Sequence, residues 1–205
     1  MSTPQKTSGI LSENVWGNNP VFMQILGICS ALAVTNLFVN TLIMTLGVVF
    51  TTGLSSFTVS LLKKYIPRRV RMIVQTLIIA FYVIIVDIVL RAYVPEVSRS
   101  LGPYVGLIIT NCIIMGRAEA FAQANPPIPA LWDGLTSGFG YMFVLLVISV
   151  FRELLGFGTL LGFRIMPETF TAWTIMVMPP SAFFMLGIFI WVVRSIMLRK
   201  GGLPQ

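Results

Sequence analysis

Apolar runs alternate with short polar or proline-bearing breaks along nearly the whole chain. Six runs stand out, at residues 21–34, 42–62, 72–90, 104–115, 134–151 and 181–198. About 20 apolar residues in a helix cross a bilayer core. The second, third, fifth and sixth runs meet or approach that length, whereas the first and fourth have apolar cores of only 12–14 residues. The pattern predicts an all-α membrane protein with six transmembrane helices in two groups of three. A three-helix unit repeated in tandem inserts its second copy upside down, so the repeats are inverted. The expected organisation is a tail at 1–20, a first repeat at 21–95, a second at 96–200 and a tail at 201–205.

The breaks have recognisable chemistry. Lys63, Lys64, Arg68, Arg69 and Arg71 follow the second run, with Pro67 among them. After the fourth run, Arg117-Ala-Glu119-Ala-Phe-Ala continues as helix until Asn125-Pro126-Pro127-Ile128-Pro129 stops it. Asp133 is then placed to cap the fifth helix. Gly134 and Gly138 form a G-x-x-x-G, which lets helices approach closely. Residues 152–178 read as a mixed loop, with Arg152-Glu153 as an interfacial charge pair.

The two short runs carry the only two cysteines. Cys29 follows Pro20 by nine positions, and Cys112 follows Pro103 by nine. Shortened, broken hydrophobic segments at matching places in two halves point to a site near the bilayer midplane. Such segments cross as half-helices joined to partly unwound backbone, tolerated only where protein buries it.

Composition sharpens this picture. Charged residues are 10% of the chain and hydrophobic ones 56%. A soluble domain carries about 25% charged residues, so the solvent here is lipid. The net charge of +7 sits in loops rather than in a stripe interleaved with aromatics, which excludes nucleic acid as a partner. With six crossings, ten Lys and Arg fall on one side and four on the other; with both cysteine runs re-entrant the division is seven to seven. The positive-inside rule therefore favours six crossings with both termini cytoplasmic. The polar first 20 residues lack the apolar core of a cleaved signal peptide. The chain has no His, no Walker-type glycine loop and no dinucleotide fingerprint. No base and nucleophile pair up, so the chain holds no complete active site.

Three readings of the cysteines stand side by side: packing residues, a disulfide, or ligands of a soft metal centre. A [2Fe–2S] centre usually takes four thiolates, so a partner would supply two. Gly27, Ser30, Thr110, Asn111 and Gly116 flank the sulfurs and could donate hydrogen bonds to them. Among the carboxylates, Asp87 lies inside a span and is a candidate for an ion path. It also has Arg91 one helical turn away as a structural partner. Asp133 and Glu119 are further candidates, Glu119 with Arg117 or a partner chain as its counter-charge.

At LGICSALAVT (26–35), GLIITNCIIMGRAEAFA (106–122) and FRELLGFGTLLG (151–162), the chain resembles the D-type subunit family of bacterial Na⁺-translocating NADH:quinone oxidoreductases. The related E-type subunit of the RNF complexes is the near alternative. Many RNF-type members carry Pro after the first cysteine; Ser30 stands there here, and SAFFMLGIFIWVVRS also leans toward the quinone-reductase branch. The resemblance implies a bacterial inner-membrane subunit of a six-subunit redox pump. Cys29 and Cys112 would be two ligands of a [2Fe–2S] cluster shared with the pump's E-type subunit, a homologue of opposite topology. NAD, FAD, FMN and quinone would be bound by other members, of the A, B, C and F types. Electrons would pass from the cytoplasmic NADH-oxidising flavin subunit outward to the FMN of the C-type subunit, and back through the B-type subunit to quinone. The resemblance also associates Asp87 and Asp133 with Na⁺ movement. Two other classes compete: a stand-alone inverted-repeat ion transporter, and a scaffold whose cysteines merely pack.

Overall fold

The computed structural model describes residues 27–67, 69–93, 102, 104–160, 163–164 and 178–199. The expected tails at 1–20 and 201–205 lie outside the described residues, as do Glu96, Arg99 and the side chain of Ser30. Helices α1 (Ile28–Val34), α2 (Phe38–Leu62) and α3 (Arg71–Tyr93) come first. A short helix α4 covers 104–109, and α5 (Cys112–Arg117) follows after a two-residue break. Helix α5 runs on as a π-helical turn, Ala118–Ala122. Then come α6 (Pro127–Phe157) and α7 (Pro179–Arg199). Between them β1 (Thr159–Leu160) pairs antiparallel with β2 (Phe163–Arg164), Thr159 opposite Arg164.

Four helical stretches are long and apolar enough to cross a bilayer: Phe38–Leu62, Arg71–Tyr93, Tyr104–Ala122 and Pro127–Phe157. Pro180–Ile196 forms a shorter apolar helix. The expected all-helical membrane architecture is borne out at this level. On α3, Gln75, Ile79 and Val83 turn inward, while Leu77, Phe81, Ile84 and Ile88 are exposed. A contiguous apolar face of that size suits lipid or another membrane chain, not water.

Two expected boundaries are corrected. Helix α6 starts at Pro127, not near residue 134, with Pro126 as its N-cap. Proline at the first helical position gives up an N–H that has no intrahelical partner anyway. Pro129 falls within that same first turn. The proline run therefore opens a helix as well as closing one, and Asp133 lies inside α6 rather than at its cap. Helix α6 also runs through residues 152–157, which were expected to be loop, and ends at Gly158 (φ 66).

The core is built on α2 and α6, packed antiparallel. A Cβ on Gly134 would lie 2.8 Å from the Thr52 carbonyl oxygen, and one on Gly138 would lie 3.0 Å from the Val49 Cα. The G-x-x-x-G thus does what its spacing predicts. Along its length α2 buries Thr41, Thr45, Thr52, Ser55 and Ser60. Several of these hydroxyls donate back to their own helix: Thr45 to the Thr41 carbonyl at 2.8 Å and Thr52 to the Val48 carbonyl at 2.6 Å. That is how a small polar residue is satisfied where no water reaches. Toward the α1 end the interface turns apolar, with Met44, Val48, Ile113, Tyr141, Val144 and Ile148 in one cluster that α3 closes with Ile79 and Val83.

Candidate functional site

Each cysteine stands at the start of a helix, and the two helix starts meet. Ahead of α1, Gly27 adopts φ 89 and ψ 15, the left-handed region open to glycine. The Gly27 carbonyl accepts the first helical bond, from Ala31 N–H at 3.2 Å. Cys29 is the second residue of α1. In the second half α4 closes with Asn111 N–H on the Ile108 carbonyl at 3.2 Å. Asn111 is extended (φ −67, ψ 119), and its side-chain oxygen accepts from Ile113 N–H at 3.1 Å. This is an ordinary Asn cap, and Cys112 is the first residue of the helix it starts. Matched in the sequence, the cysteines thus differ by one position relative to their caps.

The breaks converge on Tyr141 of α6, which is 1% exposed. A Cβ at Gly27 would lie 2.6 Å from Tyr141 Cε2 and 3.4 Å from Ile113 Cδ1. The Asn111 side-chain amide donates to the hydroxyl of the same ring at 3.5 Å. Cys29 and Cys112 are both free and exposed. Asn111 is buried, Gly116 half-buried and Thr110 exposed.

The donor set suits half of a thiolate-ligated centre. Two soft sulfurs face outward beside buried, unwound backbone. Among the described residues no group of three or more His, Cys, Asp or Glu could hold a metal alone. A four-thiolate cluster would need its remaining ligands from another chain.

Of the four described carboxylates three pair with arginines and Glu153 takes a backbone N–H, with several corrections. Asp133, expected as an N-cap, is buried with Arg117. Arg117 Nε donates to Oδ2 at 3.0 Å, and Nη2 pairs with Oδ1. This fork is the strongest geometry an arginine and a carboxylate can make. The Arg117 guanidinium also stands 5.9 Å from the Phe121 ring centroid. Glu119, expected against Arg117 or a partner chain, instead pairs with Arg71 and accepts from Gln75 Nε2 at 3.0 Å. One residue of the basic cluster therefore ties α3 to the π turn. Asp87 pairs with Arg91 at 2.9 Å, the one-turn spacing read from the sequence. Arg152 and Glu153, expected at the interface, are 2% and 3% exposed. Arg152 donates to Thr35 Oγ1 at 2.5 Å and to the Met178 carbonyl at 3.3 Å. Glu153 accepts from Phe38 N–H at 2.7 Å. The opening N–H groups of α2 have no carbonyl within the helix, and a buried carboxylate answers one of them.

A matching closure sits at the other end. Ser60 Oγ and Lys63 Nζ, at the end of α2, each donate to the Asn125 carbonyl at 2.7 Å. The far end of each long helix thus seals the turn before the other. Sequence reasoning did not single out Tyr141, Lys63 or the burial of Arg152. An Arg-Glu pair at the end of a long apolar run was the available clue to the last.

The chain matches the family described as "Rnf-Nqr subunit, membrane protein" over residues 7–190. It is 50% identical over 210 residues to the D subunit of the Na(+)-translocating NADH-quinone reductase of Chlamydia trachomatis serovar L2, covering 98% of this chain and 99% of that protein. The corresponding D subunit of Chlamydia felis is 51% identical over 196 residues (91% and 92%), and that of Psychromonas ingrahamii 48% over 200 residues (95% and 95%). With the match running through both cysteine breaks and both long helices, the chain belongs to the Rnf-Nqr family of membrane subunits.

Proposed function

We propose that this chain is the D-type subunit of a Na⁺-translocating NADH:quinone reductase and holds half of an intramembrane [2Fe–2S] cluster through Cys29 and Cys112. The observation that carries the reading is the meeting of the two cysteine breaks around Tyr141 with both thiols exposed. The E-type subunit, a homologue of opposite topology, supplies the other two thiolates. NAD, FAD, FMN and quinone belong to the remaining members, of the A, B, C and F types. The protein lies in the bacterial inner membrane as two inverted three-helix repeats with both termini cytoplasmic. The antiparallel α2–α6 pair and the reciprocal sealing of the two turns support that symmetry.

Bound at the two cysteines, the cluster supplies one-electron transfer between the NADH-oxidising side and the flavin side. The chain itself does the holding. Gly27 and Asn111 open the two helices that carry the sulfurs. Ile113, Ile114 and Tyr141 fill the space behind and keep water out. Arg117–Asp133, Arg71–Glu119 and Arg152–Thr35 fix the far ends of the two cysteine helices. Gly116, Thr110 and Ser30, each within four residues of a cysteine, are further donors toward sulfur.

Replacing Cys29 with Ser in the complex should abolish NADH-to-quinone turnover while NADH oxidation by artificial acceptors persists. Normal quinone reduction in that variant would refute the relay role. A second reading places Asp87, Asp133 and Glu119 on a Na⁺ path. It rests on the carboxylate lying inside a span, since the cavity of about 20 Å³ that Asp87 borders with Met44, Gly47, Val86, Tyr104 and Ile108 is walled almost wholly by apolar atoms. It predicts that Asp87→Asn uncouples Na⁺ transport from electron transfer, measured as ²²Na⁺ uptake per NADH. An unchanged ratio would leave Asp87 as a partner for Arg91.

A further inference from the structure

Tyr141 is a large, polar-tipped side chain fully buried in the middle of an apolar cluster. A leucine or phenylalanine would fill that volume without a hydroxyl to satisfy. A buried phenol needs a partner, and one that this ring has is Asn111, the cap of the second cysteine helix. Its ring edge covers Gly27, the break before the first cysteine helix, at a distance that leaves no room for a Cβ. Ile113, the residue after Cys112, also reaches the Gly27 side of this contact. One side chain from α6 therefore packs on Gly27 and bonds the Asn111 side chain, the residues that open the two cysteine helices, and α6 is itself pinned to α2 through Gly134 and Gly138.

We infer that Tyr141 is the positioning residue that sets the spacing between Cys29 and Cys112. This inference rests on the cluster reading above. The two contacts act differently. The ring is a wedge: it holds Gly27 at its left-handed turn and so fixes the start of α1. The hydroxyl is a tether: it accepts from the Asn111 amide, leaving the Asn111 oxygen aimed at Ile113 N–H. Losing the tether lets the amide turn over and weakens the cap beside Cys112. Losing the wedge frees Gly27 and opens the space between the breaks to lipid or water. Tyr141 need not touch the metal centre; it acts through the residues flanking each sulfur.

The test uses the whole complex with three variants, each read by iron content, EPR of the reduced sample and the midpoint potential of the signal lost in Cys29→Ser. Tyr141→Phe keeps the wedge and removes the tether. It should retain iron at the wild-type level but shift the potential and line shape. Tyr141→Leu removes both, and should lose at least half of the iron bound at this site and expose Cys29 and Cys112 to maleimide. Tyr82→Phe is the control: Tyr82, on α3, shares a 2.7 Å hydrogen bond with Thr58. That variant should leave iron, spectrum and potential unchanged. An unchanged potential and spectrum in Tyr141→Phe overturns the inference, whether or not Tyr141→Leu assembles. If Cys29→Ser removes iron while the Tyr141 variants behave as wild type, this inference alone fails. If Cys29→Ser also leaves iron unchanged, the cluster reading falls and takes this inference with it.

Discussion

Gly27 precedes Cys29 in a left-handed conformation with no side-chain cap, whereas Asn111 precedes Cys112 in ordinary extended backbone and caps the next turn itself. The two halves reach the same arrangement by different chemistry. One break depends on a residue that has no side chain, the other on a residue whose side chain is the cap. The closures at the far ends differ too: a carboxylate on a helix N-terminus seals the first turn, and a lysine and a serine on a carbonyl seal the second. A similar placement of the two cysteines therefore does not require similar residues beside them. What is shared is a non-helical residue opening a helix, a cysteine within two residues of it, and an anchor from the opposite half.

Breaking one half at a time sharpens this contrast. The largest effect should come from Arg117→Leu, which leaves Asp133 buried without its arginine fork. Removing one partner of a buried ion pair costs about 3–5 kcal/mol. The expected outcome is loss of this chain from the purified complex, measured by the stoichiometry of the polypeptides recovered. Wild-type yield would show that the Arg117–Asp133 pair does not hold α5 against α6. Gly27→Val comes next. A β-branched residue at a positive φ costs about 1–3 kcal/mol, and its Cβ would strike the Tyr141 ring. Quinone reduction should fall at least tenfold, with iron lost from the same complex. Activity within twofold of wild type would mean that the first break tolerates a side chain. The smallest effect belongs to Asn111→Ala, where a lost cap costs about 1 kcal/mol. The complex should assemble, with a thermal midpoint a few degrees lower. A drop as large as that of Gly27→Val would erase the proposed difference between the breaks.

Much of this was legible in the sequence because it is local. Apolar run length gave the long helices, G-x-x-x-G the close approach of α6, and the spacing of Asp87 and Arg91 their ion pair. The shortened run around Cys112 marked the break at Asn111, while most of the run before Cys29 lies outside the described residues. The misreadings concern partners distant in the chain. Arg71 with Glu119 and Arg152 with Thr35 join residues that no helical spacing relates. Asp133 was misread because a proline run marks the start of a helix as readily as its end. Tyr141 went unnoticed because one aromatic residue on an apolar helix looks like any other until the fold shows what its ring and hydroxyl touch.

The central claim is that Cys29 and Cys112 are paired ligands. Iron and acid-labile sulfide in the purified complex, with EPR of reduced samples, compare wild type with Cys29→Ser and Cys112→Ser most directly. The account predicts that each variant loses about two irons and the same single EPR signal, as expected when four thiolates hold one [2Fe–2S] centre. Unchanged iron and spectra in both variants would contradict it and leave the cysteines as packing residues.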